Sequence, residues 1–237
     1  MHRRTRAHQP AGVDMIVEIV AATRLQWWTF EAEAPLARSL QRLKPDTRLT
    51  PRIAAGNRRG LPDIYNARIE ADDAADILVF VHDDVFIDDF FLVDRLLAGL
   101  ATFDVIGVAG NTRRVAGQPS WYTTSKAFEP DEGHLSGAIS HAATAGGPVN
   151  YYGPTAAACE LLDGVFLAAR KSTLRQRGVR FDPRFGFHFY DMDFCRTARQ
   201  AGLRLGTWPI VLTHRSGGNF GADWQRALAD YQAKWGD

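Results

Sequence analysis

The stretch DILVFVHDDVFI, residues 76–87, joins an apolar run to a histidine and two aspartates. Its first half is rich in β-branched and aromatic residues, which is typical of a strand buried on both faces. His82, Asp83 and Asp84 then follow at the carboxyl end of that strand, where open α/β sheets bind their ligands. Mg²⁺ and Mn²⁺ prefer carboxylate oxygens and often share them with substrate phosphates. The stretch therefore predicts a metal–diphosphate site or a plain Asx-turn, and spacing alone favours neither.

Strand and helix patterns alternate along most of the chain around this stretch. Further strands are predicted at residues 14–22, 105–110 and 160–170. Residues 48–59 predict a strand that runs into a loop, and residues 203–218 predict one or two strands. Helical periodicity predicts helices at about 30–43, 60–74, 90–100, 171–178, 191–202 and 223–235. Asp88 and Asp89 precede one of these helices and are predicted to cap it. Such alternation predicts an α/β fold, a single domain with a central, mostly parallel sheet flanked by helices.

Composition excludes several classes of protein. Of 237 residues, 28 are Lys or Arg and 27 are Asp or Glu, so no overall field favours nucleic acid or an anionic membrane. No apolar run approaches the about 18 residues that span a bilayer, so no integral membrane segment is expected. Two cysteines without metal-type spacing indicate a reducing compartment, the cytoplasm. Residues 1–12 predict a flexible basic leader and residues 13–237 the folded domain.

Residues 111–158 break the alternation, because they are rich in Gly, Ser, Thr and Pro with scattered aromatic residues. They predict a long loop, and long loops within compact domains are usually functional or mobile.

A second acidic cluster lies in FDPRFGFHFYDMDFCRTARQAG, residues 181–202. Asp191 and Asp193 are two positions apart at a helix start, so their side chains diverge by about 200° and cannot face one substrate. One can face a cleft while the other caps the helix, or both can simply favour the helix dipole. His214 follows a predicted strand, and a lone histidine in such a place is more often structural than a ligand.

The order of these motifs resembles the family 2 glycosyltransferases, which have the glycosyltransferase A fold. The resemblance runs from about Ile16 to His214. It is carried by GNRRGLPDIYNARIEADDAADILVFVHDDV at 56–85, LLDGVFLAARKSTL at 161–174 and GFHFYDMDFCRTARQAGLRLG at 186–206. These segments resemble the family's D-x-D strand, its acceptor-side strand and its E-D-x-D helix.

The resemblance implies roles for the two acidic clusters. Asp84 matches the metal-binding last acid of D-x-D, and His214 matches a late histidine that some relatives use as a further metal ligand. His82 stands where an acid is usual, and it can reach a ribose hydroxyl or the metal. Asp191 matches the catalytic base, and Tyr190 replaces the glutamate before it.

The resemblance also implies a binding role for residues outside these clusters. Thr23, Asn57 and Arg59 match positions that hold the nucleotide base and ribose, and Asp83 joins them at the donor site. Asp163 matches the floor of the acceptor pocket, and Tyr190 is assigned to the same acceptor side. Trp121, in the 111–158 segment, either stacks on an acceptor sugar in a lid or only packs the loop onto the domain.

The implied function is metal-dependent, inverting sugar transfer. The expected donor is a nucleoside-diphosphate sugar, with a UDP-sugar favoured. The expected acceptor is a hydroxyl group of a glycan, a polysaccharide or a lipid-linked molecule, and the expected cofactor is Mn²⁺ or Mg²⁺. Residues 13–110 form the nucleotide-binding half, 111–158 the loop or lid, and 159–237 the acceptor and catalytic-base half. The expected location is the cytoplasm, free or peripheral to the inner membrane.

Two other functions are compatible with parts of the pattern. A nucleotidyltransferase also places acids at strand ends, but it normally needs a Gly-rich basic loop near the first strand, where this chain offers only Arg24. A non-catalytic nucleotide-sugar-binding module would tolerate the unusual Tyr190 and His82.

Overall fold

The structure is a computed structural model that describes residues 15–125, 127–218 and 220–237. The predicted basic leader, residues 1–12, lies outside the described residues. No helix in the described ranges is long and apolar enough to cross a membrane.

Two sheets form the centre of the fold. The large sheet contains β1 (Val17–Ala22), β2 (Leu49–Ala54), β3 (Ile77–Val81), β5 (Val105–Gly107), β9 (Ala158–Cys159), β11 (Phe166–Arg170) and β12 (Leu205–Thr207), in the order β2-β1-β3-β11-β5-β12-β9. The small sheet contains β4 (Val85–Ile87), β6 (Ala109–Asn111), β7 (Leu135–His141), β8 (Val149–Gly153), β10 (Leu161–Leu162) and β13 (Leu212–His214). Its order is β10-β6-β7-β13-β4, and β8 pairs with β7.

The predicted α/β class is confirmed, but the strand directions are more mixed than a mostly parallel sheet. In the large sheet β2, β1 and β3 are parallel, as are β5 and β12. Between them β11 is antiparallel to both β3 and β5. The connection before β11 explains this direction. The chain runs from β10 directly into β11, whose first residue pairs with Val81 at the end of β3. A parallel strand would instead need a crossover back to the start of β3.

The 111–158 segment is more ordered than the predicted loop. It contains β7 and β8, which form an antiparallel pair in the small sheet. Sequence periodicity misses these strands because a bulge interrupts the register at Gly137/Ala138 and β8 is mostly exposed.

Seven helices occur in the described part of the chain. They are α1 (Trp27–Glu33), α2 (Pro35–Leu43), α3 (Leu61–Glu70), α4 (Leu92–Thr102), α5 (Lys171–Gln176), α6 (Tyr190–Gln200) and α7 (Ala222–Trp235). The single helix predicted at about 30–43 is two helices, because Pro35 holds the preceding Ala34 in an extended conformation (φ −72°, ψ 134°). The N-cap residue of α4 is Phe91 rather than the predicted Asp88 or Asp89. The Asp89 carboxylate accepts a hydrogen bond from the Phe91 amide at 2.9 Å, whereas Asp88 accepts one from the Thr213 hydroxyl.

The core lies on both faces of the large sheet. Every residue of β3 is buried, as the apolar run predicts. One layer packs beneath α2 and α4, and the other contains an aromatic cluster around Tyr65, Phe80 and Phe181. Packing on both faces of the large sheet fixes the position of the carboxyl end of β3. His82, the next residue along the chain, is therefore held at this edge of the sheet.

Candidate functional site

An open cleft of about 1270 Å³ lies at the carboxyl end of β3. Four chain segments supply its inner wall: the turn after β3, the β10–β11 turn, the start of α6 and the residues around the end of β13. The predicted site residues His82, Asp83, Asp84, Trp121, Asp163, Tyr190, Asp191 and His214 all line it. The small sheet supplies the opposite wall through β7 and β8.

His82, Asp84 and His214 form a cluster that could hold a metal ion. Their ligand atoms lie within 4.8 Å of one another, and Nε2 of His214 is 3.2 Å from Oδ1 of Asp84. The donor set of two imidazoles and a carboxylate fits a divalent cation. The three side chains are partly buried, which limits competition from bulk water while leaving an approach from the cleft.

Strand pairing explains why these distant residues meet. Asp84 lies between β3 of the large sheet and β4 of the small sheet, and β4 pairs antiparallel with β13, placing Val85 opposite His214. The Asp84 carbonyl accepts a hydrogen bond from the Arg215 amide at 3.0 Å. The His82 amide donates to the Val165 carbonyl at 3.2 Å, which holds this turn against β11.

The Asp84–His214 contact is ionic in character. Burial would raise the pKa of Asp84, but the hydrogen bond and the charge of His214 outweigh it and hold this pKa below its usual value. Burial would lower the pKa of His214, and the hydrogen bond to Asp84 raises it above the usual value. Burial lowers the pKa of His82, so this imidazole is neutral and suited to bind a cation.

Asp191 lies in the first turn of α6, on the same inner wall of the cleft. Its carboxylate accepts hydrogen bonds from the Gly164 amide at 2.9 Å and from the Met192 amide at 2.8 Å. Burial and the nearby charge of Asp163 raise the pKa of Asp191 to about 7. A carboxylate with a pKa near neutrality is suited to accept a proton at physiological pH.

The local backbone holds Asp191 closely. Phe189, which precedes α6, has a left-handed conformation (φ 63°) that is unusual for a bulky residue. Gly164 lies so near that a Cβ there would be 2.8 Å from Cβ of Asp191 and would overlap the Tyr190 hydroxyl. The Asp191 carboxylate is therefore set by the β10–β11 turn as well as by its own helix.

Asp193 points away from the cleft, as the helical spacing predicts. Its side chain is fully buried, and Oδ1 contacts Lys234 Nζ at 2.6 Å and the Trp235 indole nitrogen at 2.9 Å. Asp193 thus joins α6 to α7 and leaves the cleft to Asp191.

Tyr190 contacts His82 more than the open cleft. The tyrosine side chain is 2% exposed. Its hydroxyl group donates a hydrogen bond to the Gly164 carbonyl at 2.7 Å, and the hydroxyl oxygen is 2.8 Å from Nε2 of His82. The residue that replaces the glutamate of the resembled motif therefore links the two clusters.

Thr23, Asn57 and Arg59 lie together beside the cleft but are not among the described residues that line it. The Asn57 amide donates to the Thr23 carbonyl at 2.8 Å, and the Asn57 side chain bonds both backbone groups of Arg59. Their neighbours Ala22 and Leu61 do line the cleft. The three residues thus form a shoulder at the carboxyl ends of β1 and β2.

Two residues of the site carry no sequence signal. His141 of β7 lies beside His214, with ring centroids 5.7 Å apart, and its Nδ1 is 2.9 Å from the Asn150 amide nitrogen. Phe187 stacks on His82 at 5.7 Å with an interplanar angle of 25°. The parallel pairing of β7 with β13 places His141 beside His214, and no local sequence motif predicts this register.

Comparisons with known proteins agree with this architecture. A model of the family described as "Glycosyltransferase like family" matches residues 52–214. No curated protein matches the sequence. The structure is similar to the catalytic domain of Drosophila beta1,4galactosyltransferase 7 in complex with xylobiose, with a TM-score of 0.50 and 10% identity over 90% of this chain and 79% of that one. It is also similar to GalNAc-T7 with UDP, GalNAc and Mn²⁺, with a TM-score of 0.53 and 9% identity over 92% of this chain and 48% of that one.

Proposed function

Because the chain belongs to the glycosyltransferase-like family, we propose that it transfers a sugar from a nucleoside-diphosphate sugar to an acceptor hydroxyl with inversion at the anomeric carbon. The observation that carries the proposal is that two chemically different groups line one cleft. One is the Asp84–His214 pair with His82, and the other is Asp191 with a pKa of about 7. A metal–diphosphate site beside a proton acceptor suits such a transfer.

The donor end of the reaction is assigned to Asp84 and His214. Their ligand atoms are 3.2 Å apart, which suits two neighbouring ligands on one ion, since bonds of about 2.1 Å at a right angle separate ligands by about 3 Å. A divalent cation, Mn²⁺ or Mg²⁺, supplies electrostatic stabilisation of the departing diphosphate when bound. GalNAc-T7 was solved with UDP and Mn²⁺, which supports a UDP-sugar as the first donor to test.

The other groups at the donor end act through binding. Asp83 and His82 line the floor of the cleft beside the cation ligands. The shoulder formed by Thr23, Asn57 and Arg59 is assigned to the base and ribose of the nucleotide.

The acceptor end is assigned to Asp191 and its surroundings. Asp191 takes the proton of the acceptor hydroxyl as that oxygen attacks the anomeric carbon, and general-base help of this kind contributes roughly 10²- to 10⁴-fold in rate. Asp163 lies on the floor beside it, and Tyr190 holds the backbone at Gly164.

Aromatic side chains on the outer wall favour a carbohydrate acceptor. Trp121 packs edge-on against Tyr122 and Tyr152, with centroids 5.6 and 5.3 Å away, and all three line the cleft. Rings held in this way offer flat apolar faces to a sugar. Drosophila beta1,4galactosyltransferase 7 was solved with xylobiose, which supports a glycan among the acceptors to test.

The proposal is tested by screening sugar nucleotides for metal-dependent hydrolysis and transfer, followed by Asp191→Asn on the best donor. We expect turnover to fall by roughly 10²- to 10⁴-fold while donor affinity, measured by calorimetry, stays within about twofold. Asp223→Asn, an exposed first-turn aspartate of α7, is the matched control and should keep full turnover. Full transfer by Asp191→Asn would show that another group is the base, and donor binding without any turnover would favour a binding module.

A further inference from the structure

We propose that His82 is a direct ligand of the cation and that the resulting set of two imidazoles and one carboxylate makes the site selective for transition-metal ions such as Mn²⁺ and Co²⁺ over Mg²⁺. The inference rests on the proposed function, because it concerns the cation site of the same cleft. It concerns this chain in particular, because a histidine stands where an acid is usual.

The geometry places His82 within reach of an ion held by the other two residues. All three ligand atoms lie within 4.8 Å of one another. The ring of His82 is 5.8 Å from that of His214 between centroids. An ion beside Asp84 and His214 would therefore have the His82 imidazole within reach.

The hydrogen bonds around Tyr190 determine which nitrogen of His82 is available. The Tyr190 hydroxyl has a single proton, which it donates to the Gly164 carbonyl at 2.7 Å. Its oxygen can then only accept from His82 Nε2, which lies 2.8 Å away. A neutral imidazole with its proton on Nε2 has its lone pair on Nδ1, so Nδ1 is the nitrogen that binds the ion.

Packing keeps the His82 ring in this orientation. Phe187 stacks on one face of the ring, and the tyrosine contact fixes the Nε2 edge. Outer partners of this kind orient metal-binding histidines and raise their basicity. Tyr190 is accordingly a positioning residue, which acts on the cation through His82.

The donor set decides which ions bind well. Mg²⁺ prefers oxygen ligands and keeps much of its water, whereas imidazole nitrogen suits first-row transition metals. Affinity for a site of nitrogen and oxygen ligands rises from Mn²⁺ to Co²⁺ along the Irving–Williams series. Replacing the usual acid by His82 leaves Asp84 as the only carboxylate in the cluster, so Mg²⁺ loses its preferred kind of ligand.

The first test uses the wild-type protein and metal ions alone, so that it does not depend on a folded variant. Mn²⁺ binding is followed by the loss of the free Mn²⁺ signal in electron paramagnetic resonance, and Mg²⁺ or Co²⁺ is then added as competitor. We expect Co²⁺ to displace Mn²⁺ at equimolar concentration and Mg²⁺ to fail at a tenfold excess. Displacement by equimolar Mg²⁺ would overturn the proposed selectivity.

The second test examines His82 itself. His82→Ala should weaken Mn²⁺ and Co²⁺ binding by at least about tenfold, since even the loss of an outer partner costs about 10- to 100-fold, and Tyr190→Phe should weaken it within that range. His82→Asp should narrow the gap between Mn²⁺ and Mg²⁺. His188→Ala removes a histidine that lines the same cleft outside the cluster and should leave both affinities unchanged. If His82→Ala binds Mn²⁺ and Co²⁺ like the wild type, His82 is not a ligand.

A spectroscopic measurement separates ligation from general damage to the fold. The visible absorption of bound Co²⁺ should change in His82→Ala and not in His188→Ala, while both variants keep the wild-type circular dichroism spectrum. The metal-binding measurements are made without a sugar nucleotide. If the protein binds metal as expected but transfers no sugar in a separate assay, only the proposed function is contradicted. Conversely, transfer supported equally by Mg²⁺ and Mn²⁺ would contradict only the selectivity.

Discussion

At the scale of single residues, the proposed function makes the protonation of Asp191 determine the pH range of sugar transfer. Burial and the charge of Asp163 raise the pKa of Asp191 to about 7, so the protonated form of Asp191 gains population as the pH falls through the neutral range. A protonated carboxyl cannot accept the acceptor's proton. We therefore expect kcat/KM for sugar transfer to rise about tenfold per pH unit below this pKa and to level off above it, as measured with saturating Mn²⁺.

Asp163→Asn tests the cause of this shift. Removing the charge should lower the pKa of Asp191 and move the rising limb of the pH profile to lower pH, while an asparagine can still accept the 2.9 Å hydrogen bond from the Val165 amide. Asp223→Asn, at an exposed position in the first turn of α7, serves as the control and should leave the profile in place. A limb that stays at the same pH in Asp163→Asn would mean that the limb reports a group other than Asp191.

The residues of the site differ in how far sequence reasoning could reach them. Asp84, Asp191 and His214 follow strands or begin a helix, but these local patterns also fit a structural role. The resemblance carried by the order of the motifs is what assigns the three residues to the site. His141 and Phe187 could not be predicted, because one depends on the register of β7 against β13 and the other on the path of an irregular segment before α6. Pairing between distant strands leaves no periodic trace in the sequence.

At the scale of elements, α6 serves two purposes with two aspartates. Asp191 faces the cleft, and Asp193, on the opposite side, anchors α7 through Lys234 and Trp235. Asp193 is fully buried and its Oδ2 atom has no hydrogen-bond partner. The stability of the buried carboxylate therefore depends on the ammonium group of Lys234.

Lys234→Met should destabilise the fold, because it leaves a buried charge without its partner. Loss of one member of a buried ion pair costs about 3 kcal/mol, and we expect a fall of that order in the free energy of unfolding at pH 7, measured by urea denaturation. Arg226→Ala on the same helix removes a partner of the exposed Asp223 and should cost less than about 1 kcal/mol. Equal effects of the two substitutions would mean that Asp193 does not need Lys234.

The elements were predicted well where propensity and burial agree, and less well where tertiary pairing decides. The strand at β3 and the helices α3, α6 and α7 follow directly from periodicity. The stretch VFI after the acidic triplet belongs instead to β4, a strand of the other sheet. A continuous apolar run shows burial, but it does not show that the chain changes sheets at His82–Asp84.

At the scale of the whole molecule, the cleft lies where the two sheets meet. The chain crosses between the two sheets at several points, among them Asp84, between β3 and β4, and Asp163, between β10 and β11. One proposed cation ligand and the proposed floor of the acceptor pocket thus occupy two of these crossing points. A ligand that spans the cleft would connect both sheets and stabilise their arrangement.

Thermal unfolding tests this link between binding and the stability of the whole domain. A ligand at about 100 times its dissociation constant stabilises the folded state by about 2.7 kcal/mol, which corresponds to a rise in Tm of roughly 5–10 °C for a domain of this size. We expect that rise with the best sugar nucleotide and Mn²⁺ together, and a smaller one with either alone, because diphosphate and cation bind as a unit. Asp84→Asn should abolish the joint effect, whereas Asp191→Asn should keep it, since the proposed role of Asp191 is at the acceptor and not at the diphosphate. If Asp84→Asn kept the full rise in Tm, the diphosphate would be held elsewhere, and the crossing between β3 and β4 would have only a structural role.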